Sequence, residues 1–428
     1  SREVDCKLEV FFDEEPVTIT SHDYLVKLTI TEEGSAEDTH PLGVVSANEL
    51  TVSLLNANKL FSPDNTLSTY YGKIKTGVKL IPYIRLIDSV DTLNWIQLGV
   101  FYVSKWQASI TGTTASIYAM DSMKAVLSEA ISKLQVVAGY SYTAFYEYLF
   151  SRLGVSATVD QTLTDTIPFA CAYDSIGTSL SEVSCAAKAL CFNDRSGVAS
   201  VVSLTTARSL RATLTDSDQI IDVTATQTTV KAYDGVAFTY QYPQLTANTE
   251  LLNTEGFEVA TGTNTYSNLS FSKGPVAAIS SVSFQTEAAT VSVDSFGYSP
   301  WLLDITCANT SGSTLSTNLV VSGTSVDFTS ITLADGTAND FKYTNRYIQT
   351  ADLAASYKVF LNAYVDSDMP TLEVNIRGNL LLKIGDKLTI NSAKYNITFT
   401  GLILRATHTY VGSLSTTLVL LNSSILEA

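Results

Sequence analysis

From residue 1 to residue 121 the chain never holds one hydrophobic period long enough to make a helix. Its apolar runs are short: LEVFF, VKLTI, ELTVSLL, VKLIPYIRLI, WIQLGVFYVSKW and TASIYAM, each set off by a turn-rich stretch. Val, Ile, Thr, Tyr and Phe dominate them, the residues that pack best on a pleated, half-buried surface. Many short strands at regular spacing hide their apolar faces by curling or stacking, so residues 1–121 are expected to form a β-barrel or sandwich.

At residue 121 the period changes. In DSMKAVLSEAISKL, the residues Met123, Val126, Leu127, Ala130, Ile131 and Leu134 follow a helical stripe. Asp121 or Ser122 can cap its first turn. A second helix is expected over about 143–153, ending at Gly154. A third is expected over about 179–192, where Ser179 and Glu182 have capping-box spacing. The strand VASVVSL follows, so 122–210 reads as a small α/β domain.

Beyond 211 the chain returns to β. In VAFTYQY, the residues Val236, Phe238, Tyr240 and Tyr242 alternate with smaller ones and share one face. Residues 211–245 read as the first part of a second barrel. The stretch 246–369 is Ser/Thr-rich and reads as an inserted β-rich domain with one helix, starting at Thr350 and striped by Leu353, Tyr357, Phe360, Leu361 and Tyr364. Residues 370–428 complete the second barrel. The fold class is therefore mainly β with α+β parts.

The two barrel regions share a pattern. Gly77-Val78-Lys79-Leu80, then Gly99-Val100-Phe101, then Gly112 resembles Gly385-Asp386-Lys387-Leu388, then Gly401-Leu402-Ile403, then Gly412. This suggests one barrel used twice.

Chemistry is sparse. The three histidines, His22, His40 and His408, sit in polar or strand-like surroundings and read as surface or hydrogen-bonded side chains. No GxSxG elbow, phosphate loop, HExxH or EF-hand loop occurs. The carboxylate pairs Glu14-Glu15, Glu32-Glu33 and Asp366 with Asp368 read as solvated loop acids. Cys6, Cys171, Cys185, Cys191 and Cys307 form no CxxC, and Cys185 and Cys191 are placed on one helix. Buried thiols in a reducing compartment are expected, without disulfides or zinc. No catalytic residue, metal site or cofactor is expected.

Acidic side chains outnumber basic ones by 42 to 26, a net charge of −16. Duplex DNA is a dense line of phosphates, so a surface that grips it is normally basic. Sequence-specific nucleic-acid binding is not expected; the acidity aids solubility or lines a wall that DNA slides past. Charges interrupt the N-terminal apolar run, so no signal peptide is read. No membrane-spanning run occurs either.

One segment looks built for contact. NKLFSPDNTLSTYYGKIKTGVKLIPYI, residues 58–84, is polar and turn-rich where it starts and apolar where it ends. Phe61, Pro63, Tyr70 and Tyr71 within it, and Trp106 beyond it, are the candidate interface residues. Rigid aromatics fill cores and are also enriched where proteins meet.

The N-terminal region as a whole resembles the tail hub proteins of tailed bacteriophages, which are baseplate or tail-tip hubs. The carrying residues are Asn56, Phe61-Ser62-Pro63-Asp64-Asn65, Tyr71-Gly72-Lys73, Gly77, Gly99 and Trp106, in that order. Arg377-Gly378-Asn379, Ile384-Gly385-Asp386 and the last hairpin near Gly412 add to it. Residues 246–340 carry little of it.

The resemblance implies two related β-barrels, an α/β domain after the first, and a domain inserted into the second. It implies a homotrimeric ring with pseudo-sixfold symmetry around a channel that lets DNA pass. Its partners would be a hexameric distal tail or tail tube protein above and tip, fibre or spike proteins below. The place implied is the virion, at the tail tip or baseplate, after assembly in the host cytoplasm. The rival expectation is a tail-tip protein that binds a host receptor or carbohydrate through its middle region. A lytic enzyme is not expected, because the sequence stops shortly after its last strand.

Overall fold

The computed structural model describes residues 3–36, 42–87, 94–109, 112–129, 137–204, 208–216, 220–226, 233–285 and 290–427. The first region contains β1 (Glu3–Phe11), β2 (Val17–Thr20), β3 (Leu25–Glu33), β4 (Glu49–Leu55), β5 (Lys79–Ile87), β6 (Ile96–Gln97), β7 (Phe101–Ala108) and β8 (Thr114–Met120). Alternation builds its interior. Leu28 and Ile30 on β3 face Leu50, Val52 and Leu54 on β4, and all five are buried in one core with Phe61 and Phe101.

An α/β unit follows: α1 (Met123–Leu127), β9 (Val137–Ser141), α2 (Tyr142–Arg152), β10 (Ala157–Val159), β11 (Thr166–Ala170), α3 (Ile176–Ala186), β12 (Ala189–Asn193) and β13 (Ala199–Ser203). The first expected helix is present as α1, capped by Asp121, whose Oδ1 accepts from Met123 N–H at 2.9 Å. It ends at Leu127, with Ser128 as its C-cap, and residues 130–134 of that expectation lie outside the described residues. The third helix starts earlier and stops earlier than expected. Ser175 caps it, accepting from Thr178 N–H at 3.1 Å. Ser179 is fully buried one turn on, where its hydroxyl donates to Tyr173 O and accepts from Tyr173 N–H. The helix ends because Lys188 takes a left-handed φ of +48°. Cys191 therefore sits on the buried strand β12 and not on a helix with Cys185.

The second region opens with β14 (Leu210–Thr215) and β15 (Ile220–Thr226). A long excursion then runs through β16 (Gly235–Val259), β17 (Gly262–Ser270), β18 (Val276–Gln285), β19 (Val291–Tyr298), β20 (Leu302–Asn309), β21 (Leu315–Ala334), β22 (Asp340–Asn345) and α4 (Ala351–Asp366). The chain returns with β23 (Thr371–Arg377), β24 (Lys387–Ser392), β25 (Ile397–Tyr410) and β26 (Leu414–Asn422). In the excursion, the sheet β18–β21–β16–β22 packs on β17–β20–β19 over Leu251, Leu303, Ile305, Leu319 and Val321. The ribbon of β16 and β21 joins this sandwich to the main body. Val236, Phe238 and Tyr240 lie in the core of the second region, whereas Tyr242 is 46% exposed because the ribbon has left that core. Helix α4 begins at Thr350 as expected and buries Tyr357, Phe360, Leu361 and Tyr364 against the second region.

The two barrel-like regions share a ladder. The first pairs in the order β1–β5–β7–β8–β4–β3, the second in the order β14–β24–β25–β26–β23–β15; the ladders differ at one end, where β1 runs antiparallel to β5 but β14 runs parallel to β24, with a bulge between Leu210 and Ala212. The matched strands also follow one another in the same order along the chain. The match extends to single residues. β7 bulges between Val103 and Lys105, opposite Ala119 and Tyr118; β25 bulges between Ile403 and Arg405, opposite Leu420 and Val419. β3 bulges between Leu25 and Lys27, and β15 between Ile220 and Asp222. Gly77 and Gly385 both have φ +81° at the entry to their strands. Gly77 N–H donates to Val103 O at 2.7 Å and Val103 N–H to Val78 O at 2.9 Å. Gly385 N–H donates to Ile403 O at 2.8 Å and Ile403 N–H to Asp386 O at 3.0 Å. Bulges are specific features that re-aim a strand, so two coincident bulges mark one unit used twice.

One match expected from sequence shifts by two residues. Phe101 pairs with Leu80 as Gly401 pairs with Leu388, so Phe101 and Gly401 are the counterparts. A Cβ at Gly99 would meet the ring of Phe101, and a Cβ at Gly401 the ring of Phe399. Each region keeps one glycine beneath one aromatic, in inverted order. The regions join where β3 pairs with the second half of β25, making one continuous sheet of 14 strands.

Candidate assembly surface

The connection from β4 to β5 is the first-region counterpart of the shorter one from β23 to β24. It folds on itself before it touches anything else. N–H groups of Lys59, Ser62, Asn65, Ser68 and Tyr71 each donate to the carbonyl three residues back, making a chain of successive turns. Side chains lock this run. Asn56, fully buried, accepts from Phe61 N–H at 2.8 Å and donates to Ser62 Oγ at 2.9 Å. Asn65 donates to Lys59 O at 2.9 Å and accepts from Leu67 N–H at 3.1 Å. Lys59 reaches the carbonyls of Ser109 and Gly112 in the next hairpin.

Three of the five candidate interface residues come together at the end of the first core. Phe61 is buried, edge-on to Tyr24 at 5.3 Å and stacked on Tyr70 at 5.8 Å. Tyr70 stacks on Phe12 at 4.7 Å, and Phe12 lies 6.0 Å from Trp106. Trp106 Nε1 donates to Phe61 O at 3.0 Å. Pro63 is half-buried on the same connection. Tyr71 is exposed, and Leu67, which the sequence reading passed over, is 93% exposed. The counterpart connection shows an exposed leucine as well, Leu381. Two rims of the duplicated unit thus carry a large apolar side chain in water.

A buried polar cluster holds the regions together. Arg195, from the hairpin between β12 and β13, makes a two-pronged contact with Glu32 on β3, its NH2 lying 2.8 Å from Oε2. Its other N–H groups donate to Leu380 O and Leu382 O of the second region. His408 on β25 lies against Glu32 and pairs with Thr416 Oγ1 at 2.9 Å. Burial alone would raise the Glu32 carboxyl, but Arg195 and His408 outweigh it and hold it down at about 2. Glu32 is therefore a structural ion and not a solvated loop acid. No local pattern signals this pairing, because its cation arrives from a distant hairpin. His22 is exposed and pairs with the buried Asp5 at 2.9 Å, while His40 lies outside the described residues.

All five cysteines are buried and none is in a disulfide; burial pushes the Cys171 and Cys191 thiols up to about 12. Among the described residues no group of three or more His, Cys, Asp or Glu side chains is placed to hold a metal ion. Among them, too, no helix is long and apolar enough to cross a membrane. In the sandwich, Phe257 packs edge-on to Tyr266 at 4.8 Å and tilted against Phe284 at 6.0 Å, so these three rings form no flat platform.

No protein-family model matches the chain, and no curated protein matches it. Solved structures do. The 43 kDa tail protein of prophage MuSo2 from Shewanella oneidensis aligns over 99% of both chains, with 10% identity and a TM-score of 0.56. A tail protein from Neisseria meningitidis MC58 aligns over 99% of this chain and 98% of its own, with 9% identity and a TM-score of 0.56. Over its whole length, the chain has the fold of prophage tail proteins.

Proposed function

We propose that this chain is a structural, non-enzymatic subunit of a phage tail tip or baseplate. Three copies form a hub ring that joins a hexameric tail tube to a threefold tip. The observation that carries this reading is the duplication, in which the bulges of β7 and β25, and those of β3 and β15, fall at matching places. Two equivalent units per chain turn three copies into six similar positions, which meets a sixfold tube on one face and a threefold tip on the other. The fold shared with tail proteins supports it, and so does the net charge of −16 per chain, which suits a ring that DNA passes through without sticking. Tail tube proteins above, and tip, fibre or spike proteins below, are the proposed partners. The proposed location is the virion, after assembly in the host cytoplasm. Light-scattering mass of the purified chain, with negative-stain images of the main peak, tests this. A trimer with six similar lobes is expected. A twofold-symmetric particle, or a monomer at the highest soluble concentration, would overturn it.

A further inference from the structure

The junction inside the chain has two unused counterparts. At that junction β3 pairs with β25, Thr29 opposite Thr409 and Thr31 opposite Thr407, with the latter hydroxyls 3.4 Å apart. The shared ladder carries β3 onto β15, so that Leu28, Thr29 and Thr31 correspond to Val223, Thr224 and Thr226. It carries β25 onto β7, so that Arg405, Thr407 and Thr409 correspond to Lys105, Gln107 and Ser109. Thr29 recurs as Thr224, Arg405 as Lys105 and Thr409 as Ser109, whereas Gln107 stands where Thr407 does. Yet among the described residues β15 has one partner strand, β23, and Lys105–Ala108 of β7 pairs only with β8. Exposure follows: Thr29 and Thr409 are half-buried, whereas Thr224 and Ser109 are exposed. Ile221, whose carbonyl accepts from the Tyr395 hydroxyl, lies just before the stretch in question.

Unpaired strand edges invite another chain, and soluble proteins usually blunt them. Here both open edges belong to the same repeated step. We infer that β15 of one copy adds to the open edge of β7 of a second copy, in the register that β3 already uses on β25. The occupant is therefore a second copy of this chain, and Thr224 lies opposite Ser109 across the contact. The inference rests on the ring reading above and supplies its joint. The contact is head-to-tail, so it closes a ring only if each step turns by the right angle, and otherwise extends a filament.

The test is cysteine cross-linking of a chain that carries both Thr224→Cys and Ser109→Cys. Directly opposed residues in antiparallel strands are close enough for a bridge or a short linker. The native cysteines are buried, so the new thiols are the accessible ones. A second chain with Thr29→Cys and Thr409→Cys calibrates the geometry, since that pair is opposed within one molecule. The expected result is a covalent trimer from the first chain and a bridged monomer from the second. A trimer by light scattering that stays unbridged at 109/224, while 29/409 bridges, overturns the strand joint and leaves the ring standing. A covalent ladder running past the trimer upholds the joint and overturns the ring. A monomer overturns both. Hydrogen exchange on the unmodified chain reads the same contact without substitutions. The amides of 105–109 and 223–226 are expected to slow on assembly, and unchanged exchange there in an assembled trimer overturns the joint.

Discussion

The two barrel-like regions finish their last strand with the same geometry and different chemistry. Asp121 N–H donates to Asn48 O at 3.1 Å; at the matching place Asn422 N–H donates to Pro370 O at 2.9 Å. Each side chain then caps a helical turn through the N–H two residues on, that of Met123 or of Ser424. The difference lies across the strand. Asn48 offers an N–H, which the second oxygen of Asp121 accepts at 3.1 Å. Pro370 has no N–H to offer, and Asn422 uses its amide instead to donate to Met369 O at 3.2 Å. A carboxylate suits two donors; an amide suits one donor and one acceptor. The backbone was kept, and the side chain followed the local supply of N–H groups.

The junction offers the widest contrast. Glu32 and His408 are buried in the internal joint, while the repeat places Ala108, which has no polar side chain, at the position that corresponds to His408. Glu32→Ala leaves Arg195 buried without its carboxylate and is expected to cost about 3–5 kcal/mol in urea unfolding. A loss under about 1 kcal/mol would show that the cluster is solvated and the contrast unreal. Because the folded carboxyl is held near 2, below its unfolded value, its contribution is present above the unfolded pKa. It fades as pH falls from about 4.3 toward 2, and Glu32→Ala should flatten that limb.

Asp121 predicts the opposite slope. Burial pushes it up to about 7 against the N–H donors that face it. The folded protein then holds a proton that the unfolded chain has released, so stability declines as pH rises from about 4 toward 7. Asp121→Asn should remove that slope and cost about 1–3 kcal/mol, because one buried N–H loses its acceptor. Asn422→Asp is expected to cost less, since its surroundings are half open. Equal losses at the two sites would break the comparison.

The smallest effects belong to the paired glycines. Gly77→Ala meets open space and should cost about 1 kcal/mol from its left-handed backbone alone. Gly385→Ala pays the same strain and also presses on Arg208 and Val202, each 3.2 Å from the new carbon. It should therefore be the more harmful of the two by thermal unfolding. The reverse order would mean that the second region relaxes where the first does not.

Much of this was legible from local pattern. Period-2 runs mark the strands, the 3.6 period marks α2 and α4, and the repeated Gly-x-Lys-Leu marks the two related regions. What failed had nonlocal causes. Ser179 carries a capping-box spacing, yet it is consumed by Tyr173, and only its burial shows that. The aromatics of the 58–76 connection were legible as a group, but their division was not: Phe61 turns inward while Leu67 and Tyr71 stay in water.

The sequence alone determined the class of fold, the repeat and the turn-forming residues, because each follows from side-chain period and backbone preference over a few neighbours. Tertiary structure alone decided the true register of the repeat, the pairing of Glu32 with Arg195, and which strand edges are left open. These depend on residues hundreds of positions apart meeting in space, where burial and hydrogen-bond geometry select one partner from many.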